Sequence, residues 1–136
     1  MVRAAFLLLA AAAAAAATAP VRLILDTDIG GGGCKDVDDV AAICIANALV
    51  DTGEAELLAV IQNSSPPNCT GAISVLNHYY GRGDPAVLPI GAYKGPPDLK
   101  PSEPLPYVDN LVANFPSPLK NSTQVPSGVL LYRRVL

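Results

Sequence analysis

VRLILDTDIGGGGCKDVDDVAAICIANALV, residues 21–50, runs from a strand through an acidic, glycine-rich loop into a helix, and its reading decides the fold. Residues 21–25 are an apolar run broken only by Arg22, the pattern of a strand buried in a parallel sheet. That strand delivers Asp26 at its carboxyl end, and Asp28, Asp36, Asp38 and Asp39 follow it. Carboxylates packed so closely repel one another unless a hard cation or several backbone N–H groups neutralise them. The loop therefore points to Ca²⁺ or Mg²⁺. Glycines at 30–33 permit a sharp backbone path, and Asp36 or Asp38 is placed to cap a helix that begins near Val37. Along that helix Val40, Ile43, Cys44 and Asn47, with Ala41, Ala48 and Leu49 nearby, give an apolar side that ends near Thr52 and Gly53.

Working outward, ELLAVI at 56–61 reads as a second strand and 62–68 as a polar loop. A second helix covers about 70–80 with Gly81 as its stop, and 87–90 reads as a third short strand. The order βαβαβ predicts an α/β fold, an open, mostly parallel sheet with right-handed crossovers. Ligands of such sheets bind outside the carboxyl ends of the strands, so the acidic loop and the loop at 63–68 are expected along one edge. Residues 95–126 are proline-rich with little periodicity and read as a long ordered loop or lid. A last helix is expected at 129–136. It stops without a cap or turn where a further strand would follow, so 20–136 is expected to be the N-terminal part of a domain.

Half of the 136 residues are hydrophobic (51%), but part of that excess lies at 1–19. There Arg3, an alanine-rich apolar run and small residues match a secretory signal cleaved near Ala17. The run falls short of the roughly 20 strongly apolar residues of a spanning helix, so no stable membrane anchor is expected and the protein is expected to be secreted or vesicular. The triplets beginning at Asn63, Asn68 and Asn121 are compatible with glycosylation in that compartment. Cys34, Cys44 and Cys69 are an odd set without metal-ligand spacing. Cys44 reads as core, and Cys34 and Cys69 would pair only if their loops converge. The net charge of −3 and the lack of a basic cluster beyond Arg133-Arg134 exclude a phosphate-tracking nucleic-acid surface. His78 reads as a packed or surface residue, and Arg82-Gly83-Asp84, followed by Pro85, reads as a polar turn rather than an adhesion motif.

Three common uses of such a loop fit poorly. The glycines displace the spaced ligands and final Glu that an EF-hand loop requires. Their spacing matches neither a dinucleotide fingerprint nor a Walker loop, and acidic neighbours repel phosphate. A solvated, helix-capping loop would explain Asp36 and Asp38 but not Asp26 and Asp28 on the strand end. A Mg²⁺-dependent phosphatase of the haloacid dehalogenase type, with its Asp-x-Asp nucleophile, accounts for Asp26 and Asp28 but not for Asp38-Asp39.

The strand followed by Asp26-Thr27-Asp28-Ile29-Gly30, and then Asp38-Asp39-Val40-Ala41 opening a helix, resembles the N-terminal signature of the inosine/uridine-preferring nucleoside hydrolases. The likeness continues through ELLAVI, the Asn-containing loop, Tyr79-Tyr80-Gly81-Arg82 and Leu88-Pro89-Ile90-Gly91. It implies a Rossmann-like nucleoside hydrolase core, Ca²⁺ as cofactor and hydrolysis of the N-glycosidic bond of ribonucleosides to base and ribose. It also implies a nucleoside as the small-molecule partner and a possible homo-oligomer at full length. By the same resemblance Asp28 is the metal-binding general base, Asp39 a bidentate metal ligand, Asp38 a ribose contact and Asp26 a brace. Asn68 takes the place of a ribose-contacting Asn, with Asn63 as its rival; at Asn68 that role and glycosylation exclude each other. Asp36 is a capping residue or a spare ligand. Common members place the paired Asp sooner after the second Asp, so the extra glycines here form a bulged loop. Family members supply a metal-binding carbonyl, an Asp and a His from later in the chain; without these, the chain alone is expected to be inactive or incomplete. The alternatives are a non-catalytic fragment that binds Ca²⁺ or ribose and the phosphatase above.

Overall fold

In the computed structural model, which describes residues 19–30, 38–96 and 106–136, the chain runs β1 (Val21–Thr27), α1 (Asp38–Asp51), β2 (Ala55–Gln62), α2 (Cys69–Tyr79), β3 (Ile90–Ala92), α3 (Pro106–Asn114) and α4 (Gly128–Val135). The fold is α/β. Among the described residues the sheet is open, parallel and three-stranded, in the order β1-β2-β3. The expected signal at 1–19 lies outside the described residues but for Ala19, as do Cys34 and Asp36. Among the described residues no helix is long and apolar enough to cross a membrane.

β2 is the central strand, and its side chains are largely buried, whereas those of β1 are exposed or half-buried except for the buried Thr27. The register runs Leu23↔Leu57 and then Ile24↔Ala59, so Leu58 is an extra residue that bulges β2. Side chains alternate between faces along a strand, and the bulge resets that alternation. Leu57, Val60, Leu23 and Leu25 pack on the face covered by α1, α2 and α3, where Ile43, Ile73 and Val108 are fully buried. Ala59, Ile61 and Ile24 pack on the other face against Leu131, Tyr132 and Val135 of α4. The helices therefore cover both faces of the sheet.

The third strand begins at Ile90 and not at Val87. Asp84 closes a turn whose carbonyl accepts from the N–H groups of Val87 and Leu88, both at 3.0 Å, and Val87 is left 72% exposed. Pro89 has no N–H to give, although its carbonyl accepts from Val60. The proline-rich stretch, expected to be a loop, contains α3 and a 3-10 turn at Ser122–Gln124. Pro106 takes the first helical position, where a missing N–H costs nothing. Tyr107, Val108, Leu111 and Val112 then form an apolar stripe that docks on the core. The Lys120 ammonium caps the far end of α3, donating to the carbonyls of Val112 and Phe115 at 3.3 and 3.4 Å.

Asn47 is polar yet fully buried on the inner side of α1. Its amide donates to the Ile43 carbonyl at 2.9 Å and its oxygen accepts from Arg82 at 3.3 Å, while Arg82 also pairs with Asp51. A buried polar group held this way costs little. Cys69 is a free, fully buried thiol whose pKa burial pushes up to about 12. Cys44, also free, is half-buried. Because the thiolate is the reactive species, native protein treated with iodoacetamide near neutral pH is expected to be alkylated at Cys44 and spared at Cys69. Peptide mapping after denaturation should recover Cys69 unmodified; rapid native labelling there would contradict its burial.

Candidate functional site

Strand alternation places the side chains of Asp26 and Thr27 on opposite faces of the sheet, and the site is built around that split. Thr27, 2% exposed, points to the α1 side. Its hydroxyl accepts from the Ile29 N–H at 3.1 Å and donates to the Asp39 carboxylate at 2.7 Å. One hydroxyl thus ties the end of β1 to the first turn of α1 across the glycine-rich connection. Gly30, at φ +71°, makes the left-handed turn that leads out of β1.

Asp28 and Asp39 come together at this junction. Burial pushes the Asp39 pKa up; the Thr27 hydroxyl pulls it down, and the neighbouring carboxylates of Asp28 and Asp38 push it up again. Asp38 accepts from the Asp39 N–H at 3.0 Å, a local bond at the positive end of the helix. The ion pairs found among the described residues, Arg22 with Glu56 and Arg82 with Asp51, lie elsewhere.

The donor set suits a hard cation: carboxylate oxygens, with a hydroxyl braced behind them. Among the described residues no group of three or more His, Cys, Asp or Glu side chains is placed to hold a metal. A Ca²⁺ ion takes about six to eight oxygens, more than the carboxylates of Asp28 and Asp39 could offer by themselves. Asp36, the spare ligand of the sequence reading, lies outside the described residues.

On the opposite face Asp26 is held by two donors. Asn63, at the end of β2, donates its amide N–H to one carboxylate oxygen, and Tyr132 of α4 donates its hydroxyl to the other at 2.6 Å. Burial, and next the Asp26 carboxylate, push the Tyr132 phenol up to about 12, so it remains a donor at neutral pH. Asn68 is directed elsewhere: its amide donates to Asp109 of α3. Of the two rival asparagines, Asn63 reaches the acidic cluster and Asn68 does not.

Beside Asp26 a recess of about 450 Å³ opens at the carboxyl ends of all three strands. Ile61, Asn63, Ala92 and Lys94 line it from the strand ends and the loop after β3; Ser127, Val129 and Tyr132 close it from α4. This is where an open parallel sheet receives ligands. Asp28 and Asp39 are not part of its wall. His78 lies on α2, against a separate apolar recess formed with Leu111 and Phe115.

Sequence reasoning missed Thr27 as a brace, although its place between Asp26 and Asp28 on an alternating strand was a usable signal. It had no means of finding Tyr132, whose partner lies 106 residues away. Comparison with family models, curated proteins and solved structures finds no match to this chain.

Proposed function

We propose that the chain carries the N-terminal part of a Ca²⁺-dependent nucleoside hydrolase site on a Rossmann-like core. The observation that carries this reading is the Thr27–Asp39 hydrogen bond, which sets Asp39 beside Asp28 at the carboxyl end of β1 despite the long glycine insertion. Such an arrangement supports hydrolysis of an N-riboside, in which positive charge develops on the sugar ring and water displaces the base.

A divalent cation held by Asp28 and Asp39 would supply Lewis acidity and make water easier to deprotonate. Asp28, exposed at the strand end, takes the proton of the attacking water as general base. Asp38 takes the ribose contact that the resemblance gives it, with Asn68 or its rival Asn63 as the second, and the carboxylates together stabilise the cationic ring. Asp26, bound by Asn63 and Tyr132, fixes the geometry of the strand end. Those same two bonds favour a brace over the nucleophile that the phosphatase reading requires at Asp26.

The test is release of base from inosine and uridine, in the presence of Ca²⁺, by the chain extended at its C-terminus to supply the family's later metal-binding carbonyl, Asp and His, with Asp28→Asn as the control. Turnover that falls by about 100-fold or more in Asp28→Asn is the expected result, since removing a general base costs 10²–10⁴-fold. Turnover of phosphomonoesters in place of nucleosides would assign the site to the phosphatase class. Ca²⁺ binding without turnover of either would make it a binding module.

A further inference from the structure

Three triplets of the form Asn-x-Ser/Thr, at 63–65, 68–70 and 121–123, match the acceptor of N-linked glycans in surface loops of secreted proteins. An Asn amide has a nitrogen that donates two N–H groups and an oxygen that accepts, and the sugar is joined to the nitrogen. The three positions differ in which of those two atoms the fold has already engaged. At Asn63 it is the nitrogen, which donates to Asp26; at Asn68 it is again the nitrogen, which donates to Asp109. A glycan there would leave that nitrogen one N–H and set a sugar ring against the carboxylate it binds. Asn63 is itself exposed, so exposure alone does not decide. The other members of these two triplets are drawn inward as well: Ser64 and Cys69 are buried, and Thr70 is fully buried with its hydroxyl given to Gln62.

At Asn121 the engaged atom is the oxygen. It accepts from the Thr123 N–H at 3.0 Å and from the Thr123 hydroxyl, while the Asn121 backbone N–H donates to Gln124 at 3.0 Å. The amide nitrogen holds none of these bonds. Asn121 is half-buried, and Lys120, Thr123 and Gln124 around it are exposed. The bonds just named all lie within 121–124, so they need no distant partner, whereas those of Asn63 and Asn68 span 37 and 41 residues. We propose that Asn121 is an N-glycosylation site of this protein and that Asn63 and Asn68 stay bare. The donor is an oligosaccharide linked to a lipid diphosphate. Its C1–O bond to the diphosphate breaks, C1 bonds to Nδ2 of Asn121, Nδ2 gives up one proton to a base of the transferase, and the lipid diphosphate leaves with the electron pair. The Thr123 bonds survive, because they end on the oxygen. The modification is independent of the chemistry at Asp28 and Asp39, and it requires of the chain only that it enter the secretory pathway.

The full chain is expressed in cultured eukaryotic cells and recovered from medium and cytosol. Treatment with a peptide N-glycanase in heavy-oxygen water converts each occupied Asn to labelled Asp, and peptide mapping then reads all three positions. Label at Asn121, with none at Asn63 or Asn68, is the expected result. Thr123→Ala and Asn121→Gln are each expected to abolish the glycan's shift on a gel; Thr123→Ala does so with Asn121 still in place. Mapping of the unsubstituted chain decides the matter even if a variant fails to fold. The proposal is overturned if Asn121 is unlabelled, if Asn63 or Asn68 carries the label in the secreted chain, or if the shift survives Thr123→Ala. A chain that stays in the cytosol without a glycan overturns it equally.

Discussion

Asp39→Asn is expected to weaken Ca²⁺ binding by about 100-fold or more while leaving the metal-free fold as stable as before, or more so. Residues that merely support a metal ligand are worth about 10- to 100-fold in affinity, and Asp39 is assigned as a ligand itself. The stability half of the expectation follows from its surroundings. A carboxyl whose folded pKa is raised is harder to ionise in the fold than in the unfolded chain, so its charge opposes folding above the folded pKa. That penalty disappears as pH falls below the unfolded value. Burial, and then Asp28 and Asp38, raise Asp39 in this way, with Thr27 offsetting part of the effect. Asn removes the charge and keeps an oxygen for the Thr27 hydroxyl. Calorimetric Ca²⁺ titration and thermal melting with and without metal measure both halves. Unchanged Ca²⁺ affinity would remove Asp39 from the metal site; a large drop in metal-free Tm would mean that it is there for structure.

Gly71→Ala should reverse the usual sign of a glycine substitution. Inside an ordinary helix the change gains about 1 kcal/mol; here it is expected to cost about 2–3 kcal/mol, as overpacking of a tight core does. A Cβ at Gly71 would stand 2.4 Å from the Lys120 carbonyl oxygen and 2.8 Å from a Val112 methyl. The Lys120 backbone has little room to retreat. Leu119 N–H donates to Ser74, Lys120 N–H to Gln124 at 2.6 Å, and Ser122 N–H to the Pro67 carbonyl at 2.8 Å. Chemical denaturation of the two proteins reads the difference directly, and a stabilised variant would mean that the segment after α3 does not press on α2.

Both expectations depend on contacts that the sequence disclosed unevenly. The apolar run of β1, the ELLAVI run and the glycine after α2 exposed the parallel βαβαβ order, because apolar strands and helix stops have local signatures. The proline-rich stretch hid α3, since proline density suppresses the helical pattern even when one proline sits at a permitted first position. Val87 imitated a strand residue because β-branched composition does not distinguish a strand from the turn before it. At the site, the acidic cluster was plain from charge density alone. Its partners were not: Thr27 required knowing which face of the strand it took, and the choice between Asn63 and Asn68 depended on how far β2 extends. Tyr132 depended on the path of α4 beneath the sheet, which no local pattern encodes.

The hydroxyl that holds Asp26 from α4 also dates the site in the life of the chain. β1 leaves the ribosome well before α4, and Asp26 gains its second anchor only when a residue 106 positions later has been made and docked. Contacts of such long sequence separation form late and fold slowly, and domains take shape from the N-terminus during synthesis. The acidic strand end is therefore laid down early and fastened late. Until α4 arrives, the recess lacks one wall and Asp26 lacks the Tyr132 hydroxyl, so a half-made chain has the charge of the site without its full grip.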